Sequence, residues 1–265
     1  MAVNRSQAKI IRKWSRDGYC TLTLEAPAVA GPARPGQFIM VKVSDHGHPL
    51  LRRPFSLHAR QGSNVSIFFQ VTGLGTSLLA RKAEGEEVDI LGPLGQGFSV
   101  GEAGTKPALV GGGRGIAPLV FLADELRAAG VEPNVFYGGK TAADLPLREE
   151  LERQGFDVFL STDDGSLGFG GLVTELFGKR LDSFRPTRLF ACGPEAMMEN
   201  LSALSLREGI PAEFSLESVM GCGFGACWGC VKKIRHRGAA GWIKICQEGP
   251  VFAAEDIVWD GEERG

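Results

Sequence analysis

Ala108-Leu109-Val110-Gly111-Gly112-Gly113-Arg114-Gly115-Ile116-Ala117-Pro118 runs from a short apolar strand through a glycine turn into a helix. Amides without side chains, at the positive end of a helix, are suited to hold a pyrophosphate. Pro118 is expected at the first helical position, where the N–H it lacks would be unbonded in any case. A tight βα connection with no ligand is the plain alternative for these glycines. Arg114 either adds a cation at the phosphates or points to solvent.

Outward from this turn, strand and helix alternate. Asn134–Tyr137, Asp157–Leu160 and Arg188–Ala191 read as strands, and Leu119–Ala129, Leu147–Gln154, Leu172–Lys179 and Glu195–Arg207 as helices, several stopped by glycine. That rhythm builds a parallel sheet with helices on both faces. Ala191-Cys192-Gly193-Pro194-Glu195 closes one strand and opens a helix at the carboxyl edge, where ligands bind in such sheets. Cys192 is thus a candidate for lining a nicotinamide site, and a buried structural cysteine is the alternative.

Before residue 100 the period is two. Cys20, Leu22 and Leu24 interleave with Tyr19, Thr21 and Thr23, and Val65, Ile67, Phe69 and Val71 with Ser66, Phe68 and Gln70. Pro35-Gly36, Gln61-Gly62 and Glu84-Gly85 punctuate the pattern, so a small antiparallel barrel is expected, with one short helix near Thr76. Arg53-Pro54-Phe55-Ser56 and Gly73-Leu74-Gly75-Thr76 are its notable segments, able to fork onto a phosphate and to offer amides to one.

After Pro211 the pattern breaks. Cys222, Cys227, Cys230 and Cys246 are set as C-x4-C-x2-C-x15-C, the plant-type spacing for a 2Fe-2S cluster. Glycines 221, 223, 225 and 229 let this loop approach a cluster closely. Zinc would more usually take two C-x2-C knuckles, and only one is present. A hairpin through Lys232–Ile245 carries the basic run Lys232-Lys233-Ile234-Arg235-His236-Arg237, read as a solvated face.

The 265 residues suit about two domains. Net charge of −2 argues against nucleic-acid binding, and no apolar run approaches the ~20 residues of a membrane span. With no signal peptide at Met1–Ser6, a cytoplasmic protein with reduced cysteines is expected. The expected fold is α+β and multidomain: an antiparallel β-barrel over 1–101, a Rossmann-like α/β domain over 102–212, and a C-terminal 2Fe-2S cluster subdomain over 213–265.

Taken in order, these pieces resemble the ferredoxin–NADP reductase superfamily, and within it the electron-transfer subunits of type B dihydroorotate dehydrogenases. Arg52-Arg53-Pro54-Phe55-Ser56, Gly75-Thr76, Leu91–Phe98, Gly111–Pro118, Thr162–Ser166, Cys192-Gly193-Pro194 and Glu217–Cys230 with Cys246 carry the resemblance. It implies FAD in the barrel, held by Arg53, Pro54, Phe55, Ser56, Phe69, Gln70, Val71, Gly75 and Thr76. It implies NAD(H) on Gly111, Gly112, Gly113, Gly115, Cys192, Gly193 and Pro194, with Ser56 and Cys192 as catalytic residues, and the cluster on Cys222, Cys227, Cys230 and Cys246.

It further implies an NADH dehydrogenase-type electron relay. Nicotinamide exchanges two electrons and the cluster one, while flavin does both. The expected partner, in a hetero-oligomer, is a flavin-containing dihydroorotate dehydrogenase catalytic subunit of pyrimidine synthesis. A sulfite reductase or cytosolic hydrogenase partner is one alternative, and a non-catalytic redox or zinc regulatory module is another. Arg114 departs from the pattern, since relatives usually carry an uncharged residue there.

Overall fold

The computed structural model describes residues 4–44, 47–100, 104–236 and 239–259. The expected boundary between 101 and 102 lies outside the described residues, as do Met1–Val3 and Arg237. Strands β1 (Arg5–Arg16), β2 (Tyr19–Glu25), β3 (Phe38–Val41), β4 (Arg53–Gln61), β5 (Asn64–Gln70) and β6 (Glu87–Leu94) close a barrel in the order β1-β2-β5-β4-β3-β6. Two short helices accompany it, α1 (Pro27–Ala30) and α2 (Leu74–Arg81). Asp17 and Gly18 join β1 to β2 with φ of 51° and 78°, the left-handed pair that a two-residue hairpin requires. Every second residue, including Leu22, Leu24, Val65 and Ile67, fills the barrel interior.

The outward face is not all solvated. Tyr19 stacks on Phe68 at 5.5 Å, and both are buried with residues of the following helix in a shared core. His58 on β4 reaches the same helix with Nδ1, 3.3 Å from the Ala117 carbonyl, and a later helix with Nε2, 3.2 Å from Glu150 Oε1.

Beyond the barrel, β7 (Pro107–Gly112), α3 (Ile116–Ala128), β8 (Asn134–Gly139), α4 (Arg148–Arg153), β9 (Asp157–Thr162), β10 (Phe169–Gly170), α5 (Val173–Arg180), β11 (Arg188–Cys192), α6 (Glu195–Glu208) and β12 (Ala212–Ser215) follow. The cysteine-bearing segment supplies β13 (Val231–His236), β14 (Ala239–Lys244), α7 (Ile245–Glu248) and β15 (Val251–Ala253). The sheet order is β10-β9-β8-β7-β11-β12-β15, parallel except for β15. Gly209 ends α6 in the left-handed conformation, as its sequence signal implies.

Two expectations change. Pro118 is the third residue of α3, because a 3-10 turn over Gly113–Gly115 feeds the helix early; the position is still within the first turn, where an N–H is dispensable. The pattern does not break at Pro211: β12 pairs with β11 in parallel, and β15 covers its other edge. The expected boundary between 212 and 213 therefore falls inside a strand. The last segment packs onto both the barrel and the sheet: Cys230, Ile234, Ile245, Cys246 and Trp259 are buried in one core with Phe38, Met40 and sheet residues.

One buried charge ties the barrel shut. Asp89 on β6 is 6% exposed and accepts from Arg5 Nη2 and Arg52 Nη2, each at 2.8 Å. Burial raises its pKa, but hydrogen bonds and charge from Arg5 and Arg52 outweigh this and hold it below the usual carboxylate range. A depressed carboxylate stabilises the fold above its unfolded pKa, and that stability is lost as pH falls through the folded value. Asp89→Asn is expected to cost about 2 kcal/mol near pH 7, below the 3–5 of a fully enclosed pair because Arg5 is 68% exposed. Thermal melts of the two proteins should converge below about pH 4. A constant gap from pH 7 to 3 would refute this assignment.

Candidate functional site

Two openings meet where the barrel faces the sheet. The first, a cavity of about 260 Å³, is lined by Pro54, Phe55, Ser56, Phe68, Phe69, Gln70 and Thr76 from the barrel side. Opposite stand Gly115, Ala117, Pro118 and Cys192, and the floor is the run Ser215–Ser218 with Met220. Aromatic walls with a few polar groups suit a flat conjugated ring. The second, a cleft of about 660 Å³, lies along the carboxyl edge of the sheet between Gly112–Gly115, Gly138–Lys140 and Gly193-Pro194. Gln70, Arg114, Gly115 and Glu217 line both openings, so the two are continuous.

The glycines divide by task. A Cβ on Gly115 would sit 2.2 Å from the Cys192 carbonyl oxygen, one on Gly112 2.7 Å from Pro194 Cδ, and one on Gly193 2.5 Å from Met197 Cε. These three press the turns after β7 and β11 together. Gly111 lines neither opening; its Cβ would strike Ile116, so packing alone accounts for it. Gly113 differs, with φ of 52° and open space above it, a bare backbone facing the cleft.

Cys192 is 4% exposed and lines the first cavity. Burial pushes its thiol up to about 12, the Glu217 carboxylate adds to this, and Ser215 opposes it. The group is therefore a neutral thiol at physiological pH, suited to packing and weak hydrogen bonding rather than nucleophilic attack. Ser56 stands across the same cavity. Glu217 was not singled out as a site residue from sequence. It carries an ionisable group beside Cys192 at the junction of both openings, and only its place just after β12 identifies it.

Arg53 and Gly75 lie together outside the cavity wall: a Cβ on Gly75 would come 3.1 Å from Arg53 Nε. Arg53 Nη1 donates to the Leu51 carbonyl at 2.7 Å. Thr76 Oγ1 accepts from the Thr72 and Gly73 amides at 3.0 and 3.1 Å and donates to the Gly73 carbonyl, which fixes the start of α2. Val71 is outside both openings, its amide bonded to Gly18.

Met220 of the cavity wall stands two residues before Cys222. The loop is pressed onto β3, where a Cβ on Gly223 would meet Met40 at 2.3 Å. Among the described residues no three His, Cys, Asp or Glu side chains close on a single metal ion. The thiols instead lie as two pairs. Cys222 neighbours Cys227, and Cys230 neighbours Cys246, with the Cys246 amide donating to Cys230 Sγ at 3.4 Å. Cys246 also feels the charge of Cys222, so the two pairs lie near one another. Two thiols for each of two irons is the donor set of a 2Fe-2S cluster, and this arrangement fits it. Burial opposes ionisation of Cys222, but the Phe224, Cys227 and Ala226 amides and the Cys227 thiol bring it down to about 6. Burial and the neighbouring Cys230 push Cys246 up to about 12.

Comparison with known proteins extends this geometry. Residues 217–258 match the family model described as the iron-sulfur cluster binding domain of dihydroorotate dehydrogenase B, and 109–203 match an oxidoreductase NAD-binding domain. The dihydroorotate dehydrogenase B (NAD(+)) electron transfer subunit of Desulforamulus reducens is 39% identical over 241 residues, 90% of this chain and 92% of its own length. That of Geobacillus thermodenitrificans is 42% identical over 243 residues, 89% and 91% of the two chains. A solved structure of an NADH-dependent reduced ferredoxin-NADP oxidoreductase superimposes with a TM-score of 0.83 at 29% identity, covering 96% of this chain and 90% of that one. A ferredoxin NADP+ reductase from Neisseria gonorrhoeae, solved with FAD and NADP, shares the fold at a TM-score of 0.64 and 19% identity, over 77% and 92% of the two chains.

Proposed function

Because the chain belongs to the family of dihydroorotate dehydrogenase B electron-transfer subunits, we propose that it carries electrons between NAD(H) and a flavin-containing dihydroorotate dehydrogenase catalytic subunit. The net reaction oxidises dihydroorotate to orotate with NAD+ as acceptor, in pyrimidine biosynthesis. One observation carries this reading: the run after β12 borders the cleft and the cavity at Glu217, the cavity again at Ser218 and Met220, and leads into Cys222. Flavin bound in the cavity would supply the chemistry that joins a two-electron donor to a one-electron centre.

The chain's own residues then have distinct tasks. Phe55, Ser56, Phe69 and Gln70 hold the ring against Cys192, and Arg53 with the first turn of α2 meets the FAD pyrophosphate. Gly113 admits the dinucleotide, while Gly112, Gly115, Gly193 and Pro194 set the separation of the two turns. Ser56, Cys192 and Glu217 border the place where nicotinamide meets flavin. Cys222, Cys227, Cys230 and Cys246 hold the 2Fe-2S cluster.

The domain limits that fit this reading are a barrel to about residue 101, an α/β domain to about 215, and a cluster-bearing segment beyond that returns β15 to the sheet. The described residues contain no helix long and apolar enough to cross a membrane. A cytoplasmic site is proposed on that and on six cysteines without a disulfide.

The decisive experiment is to co-express the chain with a dihydroorotate dehydrogenase catalytic subunit, purify the complex, and follow NADH formation from dihydroorotate. Robust activity supports the proposal; a stable complex that reduces dyes but not NAD+ would overturn it. A visible spectrum of the chain alone separates this relay from a zinc module, since only flavin and iron–sulfur absorb there.

Nucleotide choice is a further expected outcome. The far end of the cleft carries Lys140 against Asp144 and Asp163, so a 2′-phosphate would meet two carboxylates and one cation. NADH should exceed NADPH in kcat/KM for flavin reduction by at least about tenfold, the equivalent of ~1.4 kcal/mol. Comparable values would sink the claim.

A further inference from the structure

We propose that Arg114 is the counter-charge that fixes the pyrophosphate of the dinucleotide, a positioning residue of the cleft. The inference rests on the dinucleotide reading of the cleft. A pyrophosphate brings two negative charges, and the cleft wall is otherwise poorly prepared for them. Its charged groups are Arg114, Lys140, Asp144, Asp163 and Glu217, an acidic balance. Lys140 is at the end that holds Asp144 and Asp163, which leaves Arg114 as the cation at the glycine turn.

At Gly112, Gly115 and Gly193 neighbours fill the space a side chain would need, whereas Gly113 faces open space. Arg114 follows it directly. Among the described residues Arg114 makes no ion pair. Its one hydrogen bond, Nη1 to Gln70 Oε1, is long at 3.3 Å and goes to a neutral acceptor on the barrel. That bond lays the guanidinium across the seam between cavity and cleft and leaves most of its five donors unused. A planar fork with free donors, next to a bare glycine amide, is the donor set for a phosphate oxygen pair.

The test is calorimetric titration with ADP-ribose, which carries the pyrophosphate without the nicotinamide. It is applied to the purified full-length chain with its flavin and cluster, as wild type, Arg114→Leu and Arg114→Lys. The leucine variant should bind about 10- to 100-fold more weakly, as expected for lost charge-assisted hydrogen bonds, and the lysine variant should lie between. Wild-type affinity should fall as NaCl rises from about 0.05 to about 0.5 M, and that of the leucine variant should fall much less. The KM for NADH should rise in step with the calorimetric loss.

Leucine-variant affinity within twofold of wild type would overturn the proposal. So would a loss with unchanged salt dependence, which would make Arg114 a shaping rather than a charged contact. Flavin released on dialysis of the leucine variant would move the side chain's role to the other cavity and equally overturn it. A wild-type chain that fails to bind ADP-ribose at all removes the dinucleotide reading of the cleft, a failure distinct from the other three.

Discussion

A Cys246→Ala variant is expected to lose its iron–sulfur absorbance and most of its iron while keeping its flavin. Cys246 opens α7, is 2% exposed, and pairs with Cys230. Its removal leaves Cys230 without its partner, and the three remaining cysteines all sit on one loop. Transfer from the dihydroorotate dehydrogenase catalytic subunit should fall by about 100-fold or more, beyond the 10- to 100-fold typical of losing only a supporting contact. Serine could still ligate weakly, so alanine is the cleaner change. The sulfur occupies a buried position, and its loss should cost about 1 kcal/mol of packing, too little to unfold the barrel or the sheet.

Three measurements on one preparation separate the outcomes: iron content, NADH-to-dye activity, and partner-coupled activity. Dye activity should persist, because the cavity and cleft are built by residues up to Met220 together with Pro250. The contact is nevertheless close. Gly223 presses on Met40, and Met220 is shared wall. If dye activity vanishes with the cluster, the loop props the flavin cavity and the two halves are not independent. A full cluster with full coupling would remove Cys246 from the ligand set.

What the sequence disclosed was governed by distance along the chain. Alternating strands, the glycine turn and the cysteine spacing are local signals, and each was readable. So was Asp17-Gly18 in principle, since an aspartate–glycine pair between alternating runs marks a two-residue hairpin. Residues 212–215 and 251–253 were different. Ala212-Glu213-Phe214-Ser215 is too short to show a period, and it is a strand because β11 and β15 flank it. Glu217 was equally hidden, because its place beside Cys192 arises from that late pairing. Val71 and Gly111 show the converse: each sits in a segment that belongs to the site yet lines neither opening. Of the barrel's two adjacent arginines, residue type alone ranks neither, and the resemblance picked Arg53. The fold supplies the physical reason, since Arg52 is spent on Asp89 while Arg53 is not.

That distinction gives the second large effect. Arg53→Ala is expected to fold normally and to release FAD on dialysis, while Arg52→Ala should lower the melting temperature first. Arg53 lies against the start of α2 with its Nη1 on the Leu51 carbonyl, so its other donors remain for a phosphate. Losing a charge-assisted contact of about 1.5–3 kcal/mol weakens FAD by about 10- to 100-fold. Gly75→Ala provides an independent check with an opposite sign in stability. Alanine in place of glycine favours a helix by about 0.5–1 kcal/mol, yet its Cβ would crowd Arg53 Nε at 3.1 Å. The variant should therefore melt no earlier than wild type as apoprotein and still bind FAD more weakly, because the guanidinium has been displaced. Flavin occupancy after dialysis, read beside apoprotein melting curves, tests both at once. Full occupancy in Arg53→Ala would return that arginine to a strand-edge contact. Weak binding in Arg53→Ala with unchanged binding in Gly75→Ala would keep the phosphate contact but place the guanidinium, in the bound state, away from the helix it touches here.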